Sequence, residues 1–289
     1  MTRNLREYLK HATDEGWALG HFNASELDQM RAIVEACKEV GSPAIIGTSE
    51  GERRHMGITE ILAVRDALRR DYGIPIFLNA DHHKSVDSAK EALDAGYDSV
   101  HIDLSAMPFA DNVSGTKIIV DYARSKNSEI SVEGELGYLK GESKIQKEKI
   151  EVGPEDYTKP AEAAEFVEKT GVDRLAIVVG NIHGISKDEP RLDVARILDI
   201  RRVLVRDVAL VLHAGSGIPE EQITAAIGSG IANIHINTDV RVAFVKALRK
   251  SLEEHLDEVA MYKLDDTAIK AMKEMVVEKL RLFGSVNKI

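Results

Sequence analysis

Cysteine is almost absent. Cys37 is the only one in 289 residues, so the chain can build no internal disulfide framework, and a reducing compartment, the cytoplasm, is the expected setting. It falls in a helical pattern and reads as a buried small side chain. Aromatics make up 5% of the chain and prolines number seven, which excludes collagen-like and proline-rich architectures. No run of about 18 apolar residues occurs, so no membrane-spanning helix and no membrane partner are expected. The charged, amphipathic start MTRNLREYLKHATDEGW lacks the apolar segment of a signal peptide. Basic residues are outnumbered, 38 against 48, for a net charge of −10. A nucleic-acid partner, which needs a basic face, is not expected, whereas a local pocket for a phosphorylated metabolite is compatible with this balance.

What is present is an ordinary globular mixture, 44% hydrophobic and 30% charged, long enough to bury a large core. Short apolar runs rich in β-branched residues lie near Ala18–Asn23, Pro43–Thr48, Ile74–Ala80, Ser99–Leu104, Ile130–Leu136, Arg174–Gly180, Ala209–His213 and Asn233–Asn237. They are continuous rather than alternating, as in parallel strands covered on both faces. Helical periodicity fills the gaps, for example over Glu26–Glu39, Asp87–Ala95, Val113–Ala123, Lys159–Thr170 and Pro219–Ile227. Gly41, Gly73, Gly96, Gly171 and Gly230 close helices before the next strand. Eight such units predict an α/β chain folded as a (β/α)8 TIM barrel, one domain over residues 1–289, with an extra helix near Leu5–Thr13 and a C-terminal helix near Thr267–Leu282. An open doubly wound sheet is disfavoured because no G-x-G-x-x-G turn follows the first strand. The polar connection Tyr138–Tyr157 reads either as a surface loop or as a mobile loop over the barrel mouth.

Chemistry-bearing residues collect at the ends of these runs, where barrel enzymes carry their active sites. Asp81, His82 and His83 end the third; Asp103 and Ser105 the fourth; Glu133 and Glu135 lie in the fifth; Asn181, His183 and Gly184 follow the sixth; His213 to Gly217 the seventh; His235 to Asp239 the eighth. His82, His183 and His213 come from one end of three strands. Three imidazoles with an open fourth position form a catalytic zinc arrangement. Asp103 and Glu135 suit either a second, oxygen-rich cation site or carboxylates that orient the imidazoles. His11, His55 and His255 read as helix-surface residues and His101, inside a strand, as structural. The small residues Ala214-Gly215-Ser216-Gly217 and Asn237-Thr238, with Pro219 opening a helix, suit phosphate binding. No lysine lies in any of the eight runs, which leaves no Schiff-base nucleophile there and makes a metal the expected electrophile.

Five motifs in order, Ala80-Asp81-His82-His83, Ile102-Asp103, Val132-Glu133-Gly134-Glu135-Leu136-Gly137, Gly180-Asn181-Ile182-His183-Gly184 and Leu212-His213-Ala214-Gly215-Ser216-Gly217, resemble the class II, metal-dependent ketose-bisphosphate aldolases. The resemblance runs from Ala18-Leu19-Gly20-His21-Phe22-Asn23 to Leu282-Phe283-Gly284-Ser285. It implies reversible cleavage of a ketose 1,6-bisphosphate, fructose first and tagatose as the alternative, to dihydroxyacetone phosphate and glyceraldehyde 3-phosphate through a zinc-stabilised enediolate. It makes His82, His183 and His213 the Zn2+ ligands, Asp81 the proton-transferring acid, and Asp103 and Glu135 an alternative or second divalent position. Asn23, Gly184, Ala214, Gly215, Ser216, His235, Asn237 and Thr238 become substrate contacts, with a monovalent cation (Na+ or K+) near the phosphate. A homodimer or homotetramer is implied as well.

The chain departs from the family at four points. Ser143 stands where the family carries a proton-shuttling carboxylate, and Glu142 is the expected substitute. His235 replaces an Asn and Asn79 a His. Asn237 stands where fructose-type members carry Asp and tagatose-type members Ala. A metal-dependent hydrolase on the same barrel and a weakly catalytic phosphosugar-binding relative are the alternative functions.

Overall fold

The computed structural model describes residues 3–137, 139–146, 153–185 and 191–289. Its strands are β1 Leu19–Asn23, β2 Ala44–Ser49, β3 Ile76–His83, β4 Ser99–Ile102, β5 Ser131–Leu136, β6 Gly141–Ile145, β7 Arg174–Ile177, β8 His183–Ile185, β9 Ala209–Leu212 and β10 Ile231–Ile236. Eight of them close a parallel barrel in the order β1-β10-β9-β7-β5-β4-β3-β2, the fold expected. Their runs are apolar because helices cover the outer surface while layers of side chains fill the inside. Ile33, Ile46, Leu78, Val100, Val132, Leu175, Leu210 and Ile234 belong to one continuous buried core, each stabilising by roughly 1.5–3 kcal/mol relative to exposure.

The helix Leu5–Glu15 starts in a reciprocal cap, Asn4 accepting from Glu7 N while the Glu7 carboxylate accepts from Asn4 N. Its buried face, Leu5, Tyr8, Leu9 and Ala12, packs with Leu19, Ile45, Phe77, Ala209 and Ala232. These residues begin or nearly begin their strands, so this helix plugs the barrel's N-terminal end. The C-terminal helix Asp266–Leu282 packs against Leu27–Val40 and Thr238–Glu254 and buries Ala268, Met272, Val276 and Leu280. It joins the outer ring between the helices that follow β1 and β10. Cys37 is buried in the helix Leu27–Val40, and burial pushes its thiol up.

One expectation needs correction. Part of the connection over 138–157 is a strand: β6 pairs in parallel with β8, aligning Gly141 with His183 and Ile145 with Ile185. The sequence Gly-Glu-Ser-Lys-Ile is too polar to read as a buried strand, and its partner lies some forty residues away. Tyr138 and residues 147–152 lie outside the described residues.

Candidate active site

The long strand β3 loses register with β4 between Ala80 and His83. Within that irregularity His82 has φ 50°, a left-handed conformation that a non-glycine residue adopts only at a cost. The kink separates neighbouring side chains. Asp81 and His82 enter the C-terminal mouth, while His83 Nδ1 lies 2.8 Å from Ser88 Oγ. Ala214, just after β9, is also left-handed, at φ 58°. Non-glycine residues with positive φ thus flank the site on two strands.

The three imidazoles of the zinc expectation lie at one mouth of the barrel, but His183 stands farther out and belongs to none of the donor groups within 4.8 Å among the described residues. Ring centroids of His82 lie 5.1 Å from His183 and 4.7 Å from His213, and His183 lies 6.4 Å from His213. His101, expected to be structural, is in the same cluster, 4.6 Å from His82 and 4.7 Å from His213. Its inward position in β4, not a strand end, brings it there. Donor atoms of Asp81, His82, His101 and His213 fall within 4.8 Å of one another, as do those of His82, His101, Asp103 and Glu135. His11 is half-buried against Trp17, while His55 and His255 are exposed.

Carboxylates back the rings. Asp103 Oδ2 lies 3.0 Å from His82 Nδ1 and Glu133 Oε1 2.6 Å from His213 Nε2. Glu135 Oε2 is 3.3 Å from His101 Nε2. The buried Arg174 donates to Asn79 Oδ1 at 2.8 Å and faces Glu133 Oε2 at 2.8 Å. Glu133 and Arg174 were not among the expected site residues. Burial opposes ionisation of Asp81, yet His82, His101, His235 and His21 outweigh it and hold its carboxyl well below the usual range. For Asp103 burial is likewise outweighed, by His82, His101 and Ser105, and for Glu133 by Arg174 and the imidazoles. Burial, then the neighbouring rings, depress His183 and His235 far below an ordinary histidine, so both imidazoles are neutral. His101 goes the other way: burial lowers it, and Glu133, Asp81 and Glu135 more than reverse that.

Several polar atoms in this cluster, Asp81 Oδ1, both ring nitrogens of His101, Glu135 Oε2 and His235 Nδ1, make no well-formed hydrogen bond and face one another only at ion-pair distances of 3.3–3.9 Å. In proteins generally, buried polar groups are satisfied. A crowded, poorly bonded set of imidazole and carboxylate donors within 4.8 Å of one another suits a divalent cation, so the residues present fit a metal.

Above the cluster opens a pocket lined by Asn23, Asp81, Ser143, His183, Gly184, His213, Ala214, Ser216, His235, Asn237 and Thr238. Every expected substrate contact except Gly215 lines it. The Gly215 N–H donates to the His235 carbonyl at 3.0 Å, which draws the turn after β9 against β10; a side chain there would strike Ile234 at 2.7 Å. Ser216 Oγ accepts from Asp239 N at 3.1 Å, and the helix Thr238–Glu254 begins at the pocket. His235 stacks on His21, centroids 3.6 Å apart and planes at 9°. Asn79 Oδ1 accepts from Ser99 Oγ and Arg174, so its Nδ2 donates to His21 Nε2 at 3.1 Å; His21 therefore carries its proton on Nδ1. Glu142 lies in β6 next to Ser143, but its side chain is outside the described residues.

The pattern agrees with known proteins. A family model for class-II fructose-bisphosphate aldolase matches residues 3–288. Fructose-bisphosphate aldolases of Staphylococcus aureus (strain Mu50 / ATCC 700699) and Staphylococcus epidermidis (strain ATCC 12228 / FDA PCI 1200) are each 38% identical over 288 residues, covering 99% of this chain and 98% of theirs. The crystal structure of the YdjI aldolase from Escherichia coli K12 superposes with a TM-score of 0.84 at 31% identity, over 99% of this chain and 98% of that one. A fructose-bisphosphate aldolase from Campylobacter jejuni, at 21% identity and a TM-score of 0.77 over 99% and 95%, shares the fold. On a match that runs almost from end to end, the chain belongs to the class II fructose-bisphosphate aldolase family, a family of metal-dependent lyases.

Proposed function

We propose that the chain cleaves and re-forms a ketose 1,6-bisphosphate, fructose 1,6-bisphosphate ahead of tagatose 1,6-bisphosphate, exchanging it with dihydroxyacetone phosphate and glyceraldehyde 3-phosphate. The observation that carries this reading is Asp81. It is a buried carboxylate held ionised at the pocket floor, with Oδ2 tied by Asn23 at 3.1 Å and Oδ1 held only loosely, 3.5 Å from His235 Nδ1. His82, His183 and His213 would hold Zn2+, and the bound ion would supply a Lewis acid worth several kcal/mol toward the developing charge. Asp103 and Glu135 either orient those imidazoles or hold a second divalent ion.

The chain's own residues do the rest. Asp81 Oδ1 takes the proton of the hydroxyl whose carbon becomes the aldehyde, and returns it in condensation, a step worth roughly 10²–10⁴-fold. Gly184, Ala214, Gly215, Ser216 and Thr238 receive the phosphate of the ketone half, helped by the start of the helix Thr238–Glu254 and a monovalent cation (Na+ or K+). Asn23, His235 and Asn237 contact the sugar hydroxyls; the unpartnered, buried Oδ1 of Asn237 is an acceptor suited to one. Glu142, on β6 beside the pocket-lining Ser143, delivers the proton to the carbon of the ketone half.

A place in glycolysis and gluconeogenesis, a cytoplasmic location and a homodimer or homotetramer belong to the same proposal. A single cysteine, buried and free, favours a reducing compartment. The exposed Leu252, Leu256, Val259, Met261 and Tyr262 favour self-association. No helix among the described residues is long and apolar enough to cross a membrane.

The test is a coupled assay in which released dihydroxyacetone phosphate oxidises NADH, run on both ketose bisphosphates with zinc-loaded protein. Release from at least one of them is expected. No release from either overturns the proposal.

A further inference from the structure

Glu52 carries no sequence signal, yet it is a nearly buried carboxylate that accepts hydrogen bonds from three different residues beside the imidazole cluster. It lies in the first turn of the helix Glu50–Met56 and is 6% exposed. Its Oε2 accepts from Ser49 N at 2.8 Å and from Asn23 Nδ2 at 3.0 Å. Its Oε1 accepts from Arg241 Nη2 at 2.6 Å. The second hydrogen of Asn23 Nδ2 goes to Asp81 Oδ2 at 3.1 Å. Arg241 Nη1 donates to the Ser143 carbonyl at 3.2 Å. The result is one unbroken chain, Asp81–Asn23–Glu52–Arg241–Ser143, from the pocket floor through the first strand to β6 at the rim.

Helix capping does not account for it. Ser49 and Glu52 form a reciprocal cap, a task that Gln performs as well, so capping alone calls for no charge. A nearly buried carboxylate is costly unless its charge is matched, and here a guanidinium matches it. Arg241 then uses its fork to reach a backbone carbonyl as well, a planar two-point grip that Lys cannot reproduce. Asn23, bridging two carboxylates through one nitrogen, is thereby fixed in orientation: its amide nitrogen faces Asp81 Oδ2.

We propose that Glu52 and Arg241 are a positioning pair for this pocket: through Asn23, Glu52 turns Asp81 so that Oδ1 meets the substrate hydroxyl, and Arg241 pins β6 against the pocket through Ser143. The first half rests on Asp81 being the proton acceptor. The second half does not.

The experiment compares Glu52→Gln, Arg241→Met and the double variant in metal-loaded, full-length protein, by hydrogen exchange and by steady-state kinetics. Each single variant speeds amide exchange across residues 141–146 by about tenfold or more, because the strand loses its outer tie. Each lowers kcat by roughly tenfold with a smaller change in KM, since a misaimed Asp81 slows chemistry more than it weakens binding. The double variant is no slower than the worse single, as expected of residues acting through one chain. Arg241→Lys leaves exchange fast while recovering part of kcat, because it keeps one contact with Glu52.

Unchanged exchange in both single variants, or losses in kcat that multiply in the double variant, overturn the pair. If Glu52→Gln fails to fold, Arg241→Met, altered at a side chain 42% exposed, decides by the same readings. If the unmodified protein turns over neither ketose bisphosphate, the functional proposal falls and the exchange measurement alone decides the pair.

Discussion

His82 and Asp103 are joined by a hydrogen bond of 3.0 Å between Nδ1 and Oδ2. Because Asp103 is held ionised, it accepts, and His82 carries its proton on Nδ1. The lone pair on Nε2 is then aimed and basic, the state a metal-binding imidazole needs. Ser105 keeps the carboxylate in place with its hydroxyl, 2.6 Å from Oδ1. Asp103→Ala is predicted to weaken metal binding by about 10–100-fold, measured by competition with a chelating dye. Unchanged affinity contradicts this.

Asp81 and His213 are predicted to separate chemistry from metal binding. Asp81→Ala keeps its metal and loses about 10²–10⁴-fold in kcat, because Asp81 is proposed to move a proton. His213→Ala loses metal and rate together, read by metal analysis of the purified variants beside the kinetics. An Asp81→Ala variant with near-normal kcat contradicts the assignment.

Buried neutral histidines set an acid limit. Burial lowers His21 to about 4, and burial with Arg53 lowers His83 to about 4; burial also depresses His183 and His235. Below an unfolded value of about 6.5 the unfolded chain binds protons that these folded imidazoles refuse. Stability of the metal-free protein therefore falls as pH drops from about 6.5 to about 4, by on the order of 3 kcal/mol for His21 alone. The raised His82 and His101 act above about 6.5, where they lose stability as pH rises, and leave the lower window unchanged. Urea midpoints measured across pH 4–7 check this; a flat profile from 6.5 to 4 contradicts it.

Gly47 on β2 has no room for a methyl group. A Cβ there would stand 2.1 Å from the His21 ring, which is itself pinned by Asn79 and stacked on His235. Gly47→Ala is predicted to cost about 1–3 kcal/mol and to lower activity by disturbing that stack, whereas Gly51→Ala, with only Ser49 Oγ at 4.0 Å, is near neutral in stability. Equal urea midpoints for the two variants contradict the prediction.

The barrel was legible because parallel strands buried on both faces are continuous apolar runs, and the closing glycines punctuated them. The strand-end motifs singled out Asp81, His82, His183 and His213, all four of which line the pocket at the mouth. Glu133 was visible but without a role, while His101 and Arg174 escaped because they sit inside strands. The signal that reaches His101 and Glu133, though not Arg174, is a period of two: His21 and Asn23, Asn79 and Asp81, Ser99 and His101, Glu133 and Glu135, Asn233 and His235 are alternate residues on five strands, and they line the barrel's polar interior. Glu52 and Arg241 had no such signal. Their meeting depends on how the segments after β2 and β10 fold back over the mouth, which no local pattern encodes. The same holds for the pairing of β6 with β8.

The most direct test of the account is a titration of metal-free protein with zinc while cleavage of fructose 1,6-bisphosphate is followed through the released dihydroxyacetone phosphate. The account predicts negligible cleavage without metal and a rate that climbs with zinc to a plateau near one equivalent per chain. Full activity in the metal-free protein, or no cleavage at any zinc loading, contradicts it.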